Sequence, residues 1–425
     1  MKKMIPFLVL FCNLQANPLA LNDAIAMTLK SNPQAHAASL HIQNAQADTN
    51  AAKSALHPRI DLNGEYYPTK TVVMPSNGTF TTRQTDAFHA DVSGSYSLWD
   101  FGRNNHIVQA SQYAQEGSAA DKTSVENSLI EQVWLHYTTI SYMEQLIDTA
   151  QKSAEFYKAQ YIQAVRMREV GLKTQADESR FKASWLEADD HHSAARSQKA
   201  KALMALELLT GSDIPITIDQ ADFDRRTSEL SMVLEKNPAL RQELSQSNPQ
   251  LQKLRMLIRR DEAVSSALSK QPYGSVSLVG SYGYDNSLAS YDTSQIGVRG
   301  SIPLYDGGKL DTEMQKSRIA LSLAQKEYES TERALWQELC DALIDLNRFD
   351  ETIVVKEGIM SATQKTLSLM QGRYAQGLAT YIDLLESQSV LENTRIAHAD
   401  AKLQKIRAWM HIQRLLNKGN KNGML

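Results

Sequence analysis

The sequence Trp99-Asp100-Phe101-Gly102 occurs again as Tyr305-Asp306-Gly307-Gly308, and this repetition decides the fold. Each copy follows a stretch of alternating polar and apolar residues and precedes a long helical pattern. Farther along the chain, Gly171-Leu172 recurs as Gly377-Leu378. Asp306 follows Asp100 by 206 residues, and Gly377 follows Gly171 by the same 206 residues. The register is kept without a gap, which predicts two copies of one elongated unit.

Apolar and polar residues alternate in four segments, at about 59–67, 87–99, 274–284 and 295–304. A period of two over about ten residues is typical of a tilted membrane-spanning strand. The loops at 68–86 and 285–294 are polar and rich in turn formers, so we expect them outside the cell. Aromatic residues cluster near the strand ends, as in an interfacial belt: Tyr66, Tyr67, Phe88, Trp99, Phe101, Tyr273, Tyr284, Tyr291 and Tyr305. A soluble hairpin packed on a helix explains the alternation but not this aromatic belt.

Four strands per chain are too few to close a barrel, because the smallest barrels filled by side chains have about eight. In lipid, each unpaired backbone group at an open sheet edge costs several kcal/mol. Other chains must therefore supply the missing strands. Two copies would give eight strands and little lumen, whereas three copies would give twelve strands and a water-filled bore. After the N-terminus no stretch approaches the roughly 18 apolar residues of a membrane helix, so entry into a bilayer requires strands.

Long helices follow each strand pair. The pattern from 102 to about 170 predicts a helix of roughly 100 Å at 1.5 Å per residue. Its apolar residues step by four and three, a coiled-coil spacing, and Leu129 and Val133 match Leu335 and Leu339 in the second copy. Gly171 and Gly377 end these helices and allow a reversal into return helices. The hairpins are predicted at 102–210 and 306–418.

The remaining boundaries follow from the repeat. Residues 1–20 resemble an export signal, since Lys2 and Lys3 precede an apolar run and then small residues. Repeat 1 covers 21–210 and begins with a short helix at 21–56. A connector at 211–246 is expected to pack against the long helices. Repeat 2 covers 247–418, beginning with a helix at about 248–269, and a tail occupies 419–425.

The composition argues against several classes of function. The chain has 45 Lys and Arg, 48 Asp and Glu and a formal charge of −3, which disfavours nucleic acid as a partner. Removal of the signal would leave Cys340 alone, so no internal disulfide is expected. Gly307-Gly308-Lys309 lacks the remainder of a phosphate loop, and His191-His192 lack metal-site spacing. We therefore predict no enzyme activity, no cofactor and no metal site.

These features together resemble the TolC-like outer-membrane factor family. The resemblance rests on the signal, the Ser31-Asn32-Pro33-Gln34 and Ser247-Asn248-Pro249-Gln250 elements, the Asp-Phe-Gly and Asp-Gly-Gly strand exits and the two Gly-Leu turns. It covers essentially the whole mature chain. It implies a mixed α and β homotrimer: a transmembrane β-barrel with four strands per protomer and a barrel of long antiparallel coiled-coil helices. Members are outer-membrane exit ducts of tripartite efflux pumps or type I secretion systems in Gram-negative bacteria, and they extend into the periplasm.

The resemblance also implies site residues. In this family the second return helix bears acidic rings at the periplasmic gate, and the matching positions here are Asp383 and Glu386. Tyr374 and Asp177 match a pair that holds the tip shut. The family pattern has Arg where this chain has Ala379, which leaves Lys173 as the substitute.

The two turns match the tips that meet a periplasmic adaptor protein, which in turn links the duct to an inner-membrane transporter. The contact residues predicted in this way are Val170, Gly171, Leu172, Thr174, Gly377, Leu378 and Thr380. A plain turn would need the glycines but not the leucines. The alternatives to an exit duct are a trimeric coiled-coil surface adhesin, a structural envelope protein or soluble helical scaffold, and a free-standing porin. Adhesins keep their anchor strands together at one end of the chain, and porins lack such helices.

Overall fold

The computed structural model describes residues 19–76, 78–212, 217–228, 238–286 and 290–418. The predicted signal, apart from its last two residues, and the predicted tail lie outside these ranges, as do parts of the predicted connector. The helices are α1 Leu21–Ser31, α2 Pro33–Ser54, α3 Arg103–Glu169, α4 Gln175–Thr210, α5 Gln220–Ser228, α6 Pro238–Ser247, α7 Pro249–Lys270, α8 Lys309–Ala375 and α9 Tyr381–Leu415. The strands are β1 Arg59–Ser76, β2 Thr79–Trp99, β3 Ser275–Asp285 and β4 Tyr291–Ser301, with a 3-10 turn at Gln271–Tyr273.

The repeat is visible in the elements themselves. The helices α3 and α8 each contain 67 residues, and α8 begins and ends 206 positions after α3. Asp100 accepts hydrogen bonds from the backbone N–H of Gly102 at 3.0 Å and of Asn104 at 2.7 Å, which caps the start of α3. Asp306 accepts equivalent bonds from Gly308 at 3.0 Å and Leu310 at 2.9 Å. The motif therefore occurs twice because the same capping arrangement starts both long helices.

Chain contacts divide the protein into two compact units that cut across the sequence repeat. The first comprises the described parts of Met1–Ala37, Thr123–Asn248 and Arg333–Leu425, and the second comprises Ala38–Lys122 and Pro249–Glu332. Each unit therefore draws segments from both copies. The prediction of a mixed α and β chain with an internal duplication is confirmed.

The second unit contains the sheet, whose strands are all antiparallel in the order β1-β2-β3-β4. The pairing of β2 with β3 joins the two hairpins, and among the described residues β1 and β4 remain as free edges. Apolar side chains on one face are largely exposed in the single chain, including Ile60 at 74%, Leu62 at 79% and Ile296 at 81%. This sheet has an apolar face that the described part of the chain does not cover.

Two loop predictions are wrong. Residues 68–86 are expected from the sequence to form an external loop, but β1 continues to Ser76 and β2 begins at Thr79. The two strands pair here from Lys70 opposite Thr85 to Ser76 opposite Thr79. Threonine and valine are frequent there, and β-branched residues suit a pleated ladder. The expected loop at 285–294 is shorter because β4 begins at Tyr291, and residues 287–289 lie outside the described ranges. Strand β4 also ends at Ser301 rather than 304, since Pro303 has no N–H to donate to a ladder.

The predicted helix at 21–56 is two helices. Asn32 has an extended backbone (φ −71°, ψ 128°) because the following Pro33 disfavours helical geometry at the residue before it. The break is held in the first unit by contacts to the end of α4: Ser31 donates to the carbonyl of Thr210 at 2.5 Å, and Asn32 to that of Leu209 at 3.4 Å. Asn248 donates to the carbonyl of Leu415 at 3.0 Å in the same way. The repeated Ser-Asn element therefore ties the end of α1 to the end of α4, and the end of α6 to the end of α9.

The first unit is held by packing between helices. The predicted seam is buried, with Leu129 at 1%, Val133 at 0% and Leu339 at 0% exposure. From the predicted connector, the Phe223 ring of α5 lies 6.0 Å from the rings of both Trp134 and Tyr137 on α3. No helix within the described ranges has an apolar stretch long enough to cross a membrane.

Candidate functional site at the helix turns

The two helix turns have the same backbone geometry. We call Val170–Thr174 tip 1 and residues 376–380 tip 2. Gly171 has φ +78° and Gly377 has φ +75°, a left-handed conformation that favours glycine. The N–H of Leu172 reaches the carbonyl of Met167 at 2.8 Å, and that of Leu378 reaches Arg373 at 2.8 Å. These bonds close a Schellman-type end on α3 and α8.

A capping box starts each return helix. In tip 1 the Thr174 N–H and hydroxyl donate to Asp177 at 3.1 and 2.9 Å, and the Asp177 N–H donates back to the Thr174 hydroxyl at 3.2 Å. In tip 2 the Thr380 N–H and hydroxyl donate to Asp383 at 2.8 and 2.7 Å, with the return bond again at 3.2 Å. Each threonine–aspartate pair satisfies donors that the first helical turn leaves free.

These bonds stabilise the charged form of both carboxylates. Hydrogen bonds from the Thr174 backbone and side chain hold the pKa of Asp177 below its ordinary value, and Lys173 and Arg180 add to the effect. Hydrogen bonds from the Thr380 side chain and backbone do the same to the pKa of Asp383, with a smaller contribution from Arg373. Both aspartates therefore carry full negative charge at neutral pH.

The structure places the predicted gate acids in different surroundings. Asp383 is fixed by its cap, whereas Glu386 is exposed and has no ion pair or hydrogen bond with any part of the chain that the structure describes. Leu384, between them, is fully buried with Leu367 and Leu391. The acidic pair thus lies on the side of α9 opposite its apolar core.

The predicted latch residues are only partly brought together. The Lys173 ammonium nitrogen lies 5.0 Å from the centre of the Tyr374 ring, which itself packs against the Leu367–Leu384 cluster. Within the described residues of one chain, no hydrogen bond joins Asp177 to Tyr374. The contact between Lys173 and Tyr374 therefore connects tip 1 to the last turn of α8.

The tips also present apolar side chains to solvent. Val170 is 69% exposed, Leu172 is 72% exposed and Leu378 is 63% exposed. A hairpin turn needs none of these residues for its own geometry, since glycine and threonine already satisfy it. Exposed leucines at matching positions of both tips form a small apolar surface available to another protein.

Other side chains near the tips were not predicted from the sequence. The Arg168 guanidinium lies 2.8 Å from Glu178, which joins the end of α3 to the start of α4. The Arg180 guanidinium lies 4.9 Å from the centre of the Tyr381 ring and joins α4 to α9. The first pair spans a turn and the second spans two repeats, so no fixed sequence spacing signals either contact.

The polar face of the sheet is organised by hydrogen bonds. Asn63 donates to Asp91 at 3.2 Å and to Ser93 at 3.1 Å, and Gln295 donates to Ser281 at 3.0 Å. His89 lies between two carboxylates, 3.3 Å from Asp91 and 3.4 Å from Asp285. This face is suited to contact with water, in contrast to the apolar face behind it.

No group of three or more His, Cys, Asp or Glu side chains in the described ranges is arranged to hold a metal ion. The features assembled above are a sheet with one apolar and one polar face, two free edges, and paired helical hairpins with capped tips. They define the class of outer-membrane channel proteins that combine strands with long helices.

Comparison with known proteins identifies the family. Residues 24–212 and 240–418 match the family described as Outer membrane efflux protein, and the chain belongs to it. The two matched segments correspond to the two sequence repeats. Members of this family form channels in the outer membrane and extend into the periplasm, so the sequence-based resemblance and the predicted location are confirmed.

Individual relatives agree with this assignment. The chain is 22% identical to the toluene efflux pump outer membrane protein TtgC of Pseudomonas putida, covering 94% of this chain and 83% of that protein. It is 20% identical to the outer membrane protein TolC of Escherichia coli, covering 100% of this chain and 88% of the other. Among solved structures, the chain is similar to CusC, whose crystal structures concern folding and transmembrane channel formation. The TM-score is 0.82 at 17% identity, and the match covers 94% of this chain and 92% of that one.

Proposed function

We propose that this protein is a passive exit duct that works as a homotrimer with a periplasmic adaptor protein and an inner-membrane transporter. Membership of the efflux family, together with relatives named for efflux and for protease secretion, supports transport through the outer membrane in an efflux pump or a type I secretion system. The single observation that carries the proposal is the sheet with an exposed apolar face and free edges at β1 and β4. The duct itself carries out no chemistry, and the transporter supplies the driving energy.

The copy number follows from the sheet. Unpaired edges in lipid are costly, so β1 of one chain pairs with β4 of the next until the sheet closes. Three chains give twelve strands, whose polar faces surround a water-filled bore. Residues such as Asn63, Ser93 and Gln295 then line the lumen, and Leu62 and Ile296 face the acyl chains.

The helix turns supply the gate and the adaptor contact. In a trimer, three copies of Asp383 and Glu386 form acidic rings that attract cations and repel one another at a narrow opening. Lys173 on Tyr374 holds the two tips of each chain together in the closed state. The exposed Leu172 and Leu378, with Val170 and the turn residues Gly171, Thr174, Gly377 and Thr380, form the surface that the adaptor contacts.

Adjacent residues of β2 provide the sharpest test of the membrane assignment. Val92 lies on the apolar face and Ser93 on the polar face, so Val92→Lys and Ser93→Lys place the same charge on opposite sides of one strand. Lysine facing lipid near the midplane costs about 2–4 kcal/mol, whereas lysine facing the lumen changes selectivity. We expect Val92→Lys to reduce the amount of protein assembled in the outer membrane, and Ser93→Lys to assemble normally.

The readout is single-channel recording of purified protein in planar lipid bilayers, with the reversal potential measured in a salt gradient. Wild-type protein should give discrete current steps, and Ser93→Lys should give steps with weaker cation preference. Equal assembly of both variants, together with an absence of current steps in the wild type, would refute the proposed channel.

A further inference from the structure

An open cavity of about 730 Å³ lies in the second unit where the strands meet the helices. Its walls come from the end of β2, the start of α3, Leu56 just after α2, and the end of α7 with the 3-10 turn that follows. Trp99, Phe101 and Tyr273 form an aromatic cluster there: the Phe101 ring centre lies 6.1 Å from that of Trp99 and 5.3 Å from that of Tyr273. The channel function described above leaves this cavity unused.

Phe101 has a backbone conformation that favours glycine. Its φ is +58°, and it is one of two non-glycine residues with positive φ in the described ranges. The second copy of the motif has Gly307 at this position, with φ +70°. A side chain at positive φ destabilises the backbone, so a phenylalanine kept where the repeat has glycine points to a role for its ring.

A β-bulge directs Trp99 to the same place. The register between β2 and β3 shifts between Ser97 and Trp99, and bulges of this kind re-aim side chains at sheet ends. Among the described residues, the matching strand exit of the second copy shows no such cluster, since Leu304 is 94% exposed and Tyr305 is 91% exposed. The cluster therefore forms at the Trp99-Asp100-Phe101-Gly102 strand exit, with Tyr273 from the second copy, and is not a necessary result of the duplicated fold.

Charge complementarity indicates the ligand. Lys270, the last residue of α7, lines the cavity and has no ion pair or hydrogen bond with the described part of the chain. The carboxylate of Asp100 also lines it but accepts bonds from two backbone N–H groups at the start of α3. The side-chain amides of Asn104 and Asn105 add hydrogen-bond donors. One free ammonium group, two amides and three aromatic rings fit a phosphate attached to an apolar body.

The position in the sheet supports the same ligand. The cavity begins at Tyr96 and Leu98, which continue the exposed apolar face of β2. Strand β2 is paired on both sides, with β1 from Arg59 opposite Ser95 onward and with β3, so its backbone is not one of the free edges that neighbouring chains need. Aromatic rings with a nearby cation at the end of a lipid-facing strand are typical of the membrane–water interface.

We propose that this cavity binds the headgroup of a glycerophospholipid, with Lys270 on the phosphate and the Trp99, Phe101 and Tyr273 rings around the glycerol and the first part of the acyl chains. One site is present in each chain, so the channel holds one bound lipid per copy. The proposal rests on membrane insertion of the sheet, but not on the number of copies or on the gate.

Native mass spectrometry of the delipidated, detergent-purified protein tests the site. The probe is 1-palmitoyl-2-oleoyl-phosphatidylglycerol, and dioleoylglycerol serves as the matched lipid without phosphate. Wild-type protein should retain one phosphatidylglycerol per chain, and dioleoylglycerol should bind weakly. Lys270→Gln removes a charge-assisted contact and should weaken binding by about fivefold or more. Phe101→Gly restores the residue of the second copy and should weaken binding similarly without lowering thermal stability.

Two control variants separate the cavity from general surface effects. Lys309→Gln removes an exposed cation that pairs with Glu313, and Tyr305→Gly removes an exposed aromatic residue outside the cavity. Both should bind phosphatidylglycerol within about twofold of the wild type. Equal binding by Lys270→Gln and Lys309→Gln would overturn the proposal, whether or not Phe101→Gly folds.

Two further outcomes would also overturn it. Displacement of the lipid by an excess of inorganic phosphate would define a simple anion site. Loss of the assembled state in Lys270→Gln would define a contact between chains. A protein that fails as a channel but retains one lipid per chain would refute the proposed function and leave this site standing.

Discussion

The ammonium nitrogen of Lys173 lies 5.0 Å from the centre of the Tyr374 ring, so a residue of tip 1 rests on the last turn of the long helix that leads to tip 2. A cation over an aromatic face at a solvent-accessible site contributes about 0.5–1 kcal/mol. The sequence resemblance leads us to expect an arginine where this chain has Ala379. Lys173 therefore offers a positive charge at the tip from the other repeat.

Removing this cation should favour the open channel. Lys173→Met keeps the length of the side chain but loses the interaction, and we expect the ratio of open to closed time to rise about two- to fivefold. Single-channel recordings measure this ratio. Lys182→Met is the matched control, because Lys182 is exposed on α4 and contacts no aromatic ring in the described structure. Identical gating in the two variants would exclude Lys173 from the latch.

Removing the acidic pair of α9 should reduce cation preference. Asp383→Ala with Glu386→Ala removes two charges per chain from the proposed rings, and it also breaks the capping box of Thr380. Asp177→Ala breaks the equivalent box of Thr174 but belongs to the first copy. A change in reversal potential is expected for the double variant and not for Asp177→Ala. If both variants change it equally, the effect arises from loss of the cap and not from the rings.

Alanine at the turn glycines should destabilise the tips. Both Gly171 and Gly377 have open space around the missing Cβ, so the penalty comes from the positive φ and amounts to about 1–2 kcal/mol each. Gly372, in the last turn of α8, also has open space but does not need a positive φ. Gly372→Ala should therefore stabilise the helix by about 0.5–1 kcal/mol. Hydrogen exchange of the tip amides measures the effect of each of the three alanine variants. Faster exchange in Gly372→Ala than in the wild type would contradict the explanation by positive φ.

The capping boxes should weaken in acid. The pKa values of Asp177 and Asp383 are lowered in the folded protein, so their contribution is complete above the ordinary value of 3.8 and is lost as the pH falls through the lowered pKa. Hydrogen exchange of the Thr174 and Thr380 amides, corrected for the intrinsic rate, should become faster only when the pH is below 3.8. Asp383→Asn keeps an oxygen acceptor that does not titrate, so its Thr380 amide should show no such pH dependence. Acid-induced exchange that persists in Asp383→Asn would rule out the carboxylate as its cause.

The sequence alone was sufficient for the parts of the fold that repeat. Alternating residues predicted the four strands, and the seam at Leu129 and Val133 predicted long packed helices, because each pattern has one dominant period. The Gly171 and Gly377 turns were predictable since few residues accept a positive φ. The Asp100 and Asp306 motifs were recognised as repeated elements, although their capping role needed the backbone geometry.

The hairpin extension of β1 and β2 was missed although the sequence contains a signal for it. Asn77-Gly78 lies between two threonine- and valine-rich segments, and Asn-Gly is a strong hairpin signal. The many polar residues of this region favoured a loop instead. Polarity was misleading here because a strand exposed on both faces needs no apolar side chains.

The site was less predictable than the fold. Asp383 was expected as a free gate carboxylate, but the Thr-x-x-Asp spacing from Thr380 also indicates a capping box, which the structure shows. The contacts of Arg180 with Tyr381 and of Lys173 with Tyr374 join residues from different repeats. Sequence spacing gives no information on such pairs, because they depend on how the hairpins pack. The gate, latch and adaptor residues therefore stay predictions.

The number of copies in the assembled protein tests the central claim most directly. Native mass spectrometry of protein extracted from outer membranes counts the chains in each complex without reference to any relative. Closure of the free β1 and β4 edges around a water-filled bore predicts complexes of three chains. A stable single chain that remains in solution without detergent would contradict it.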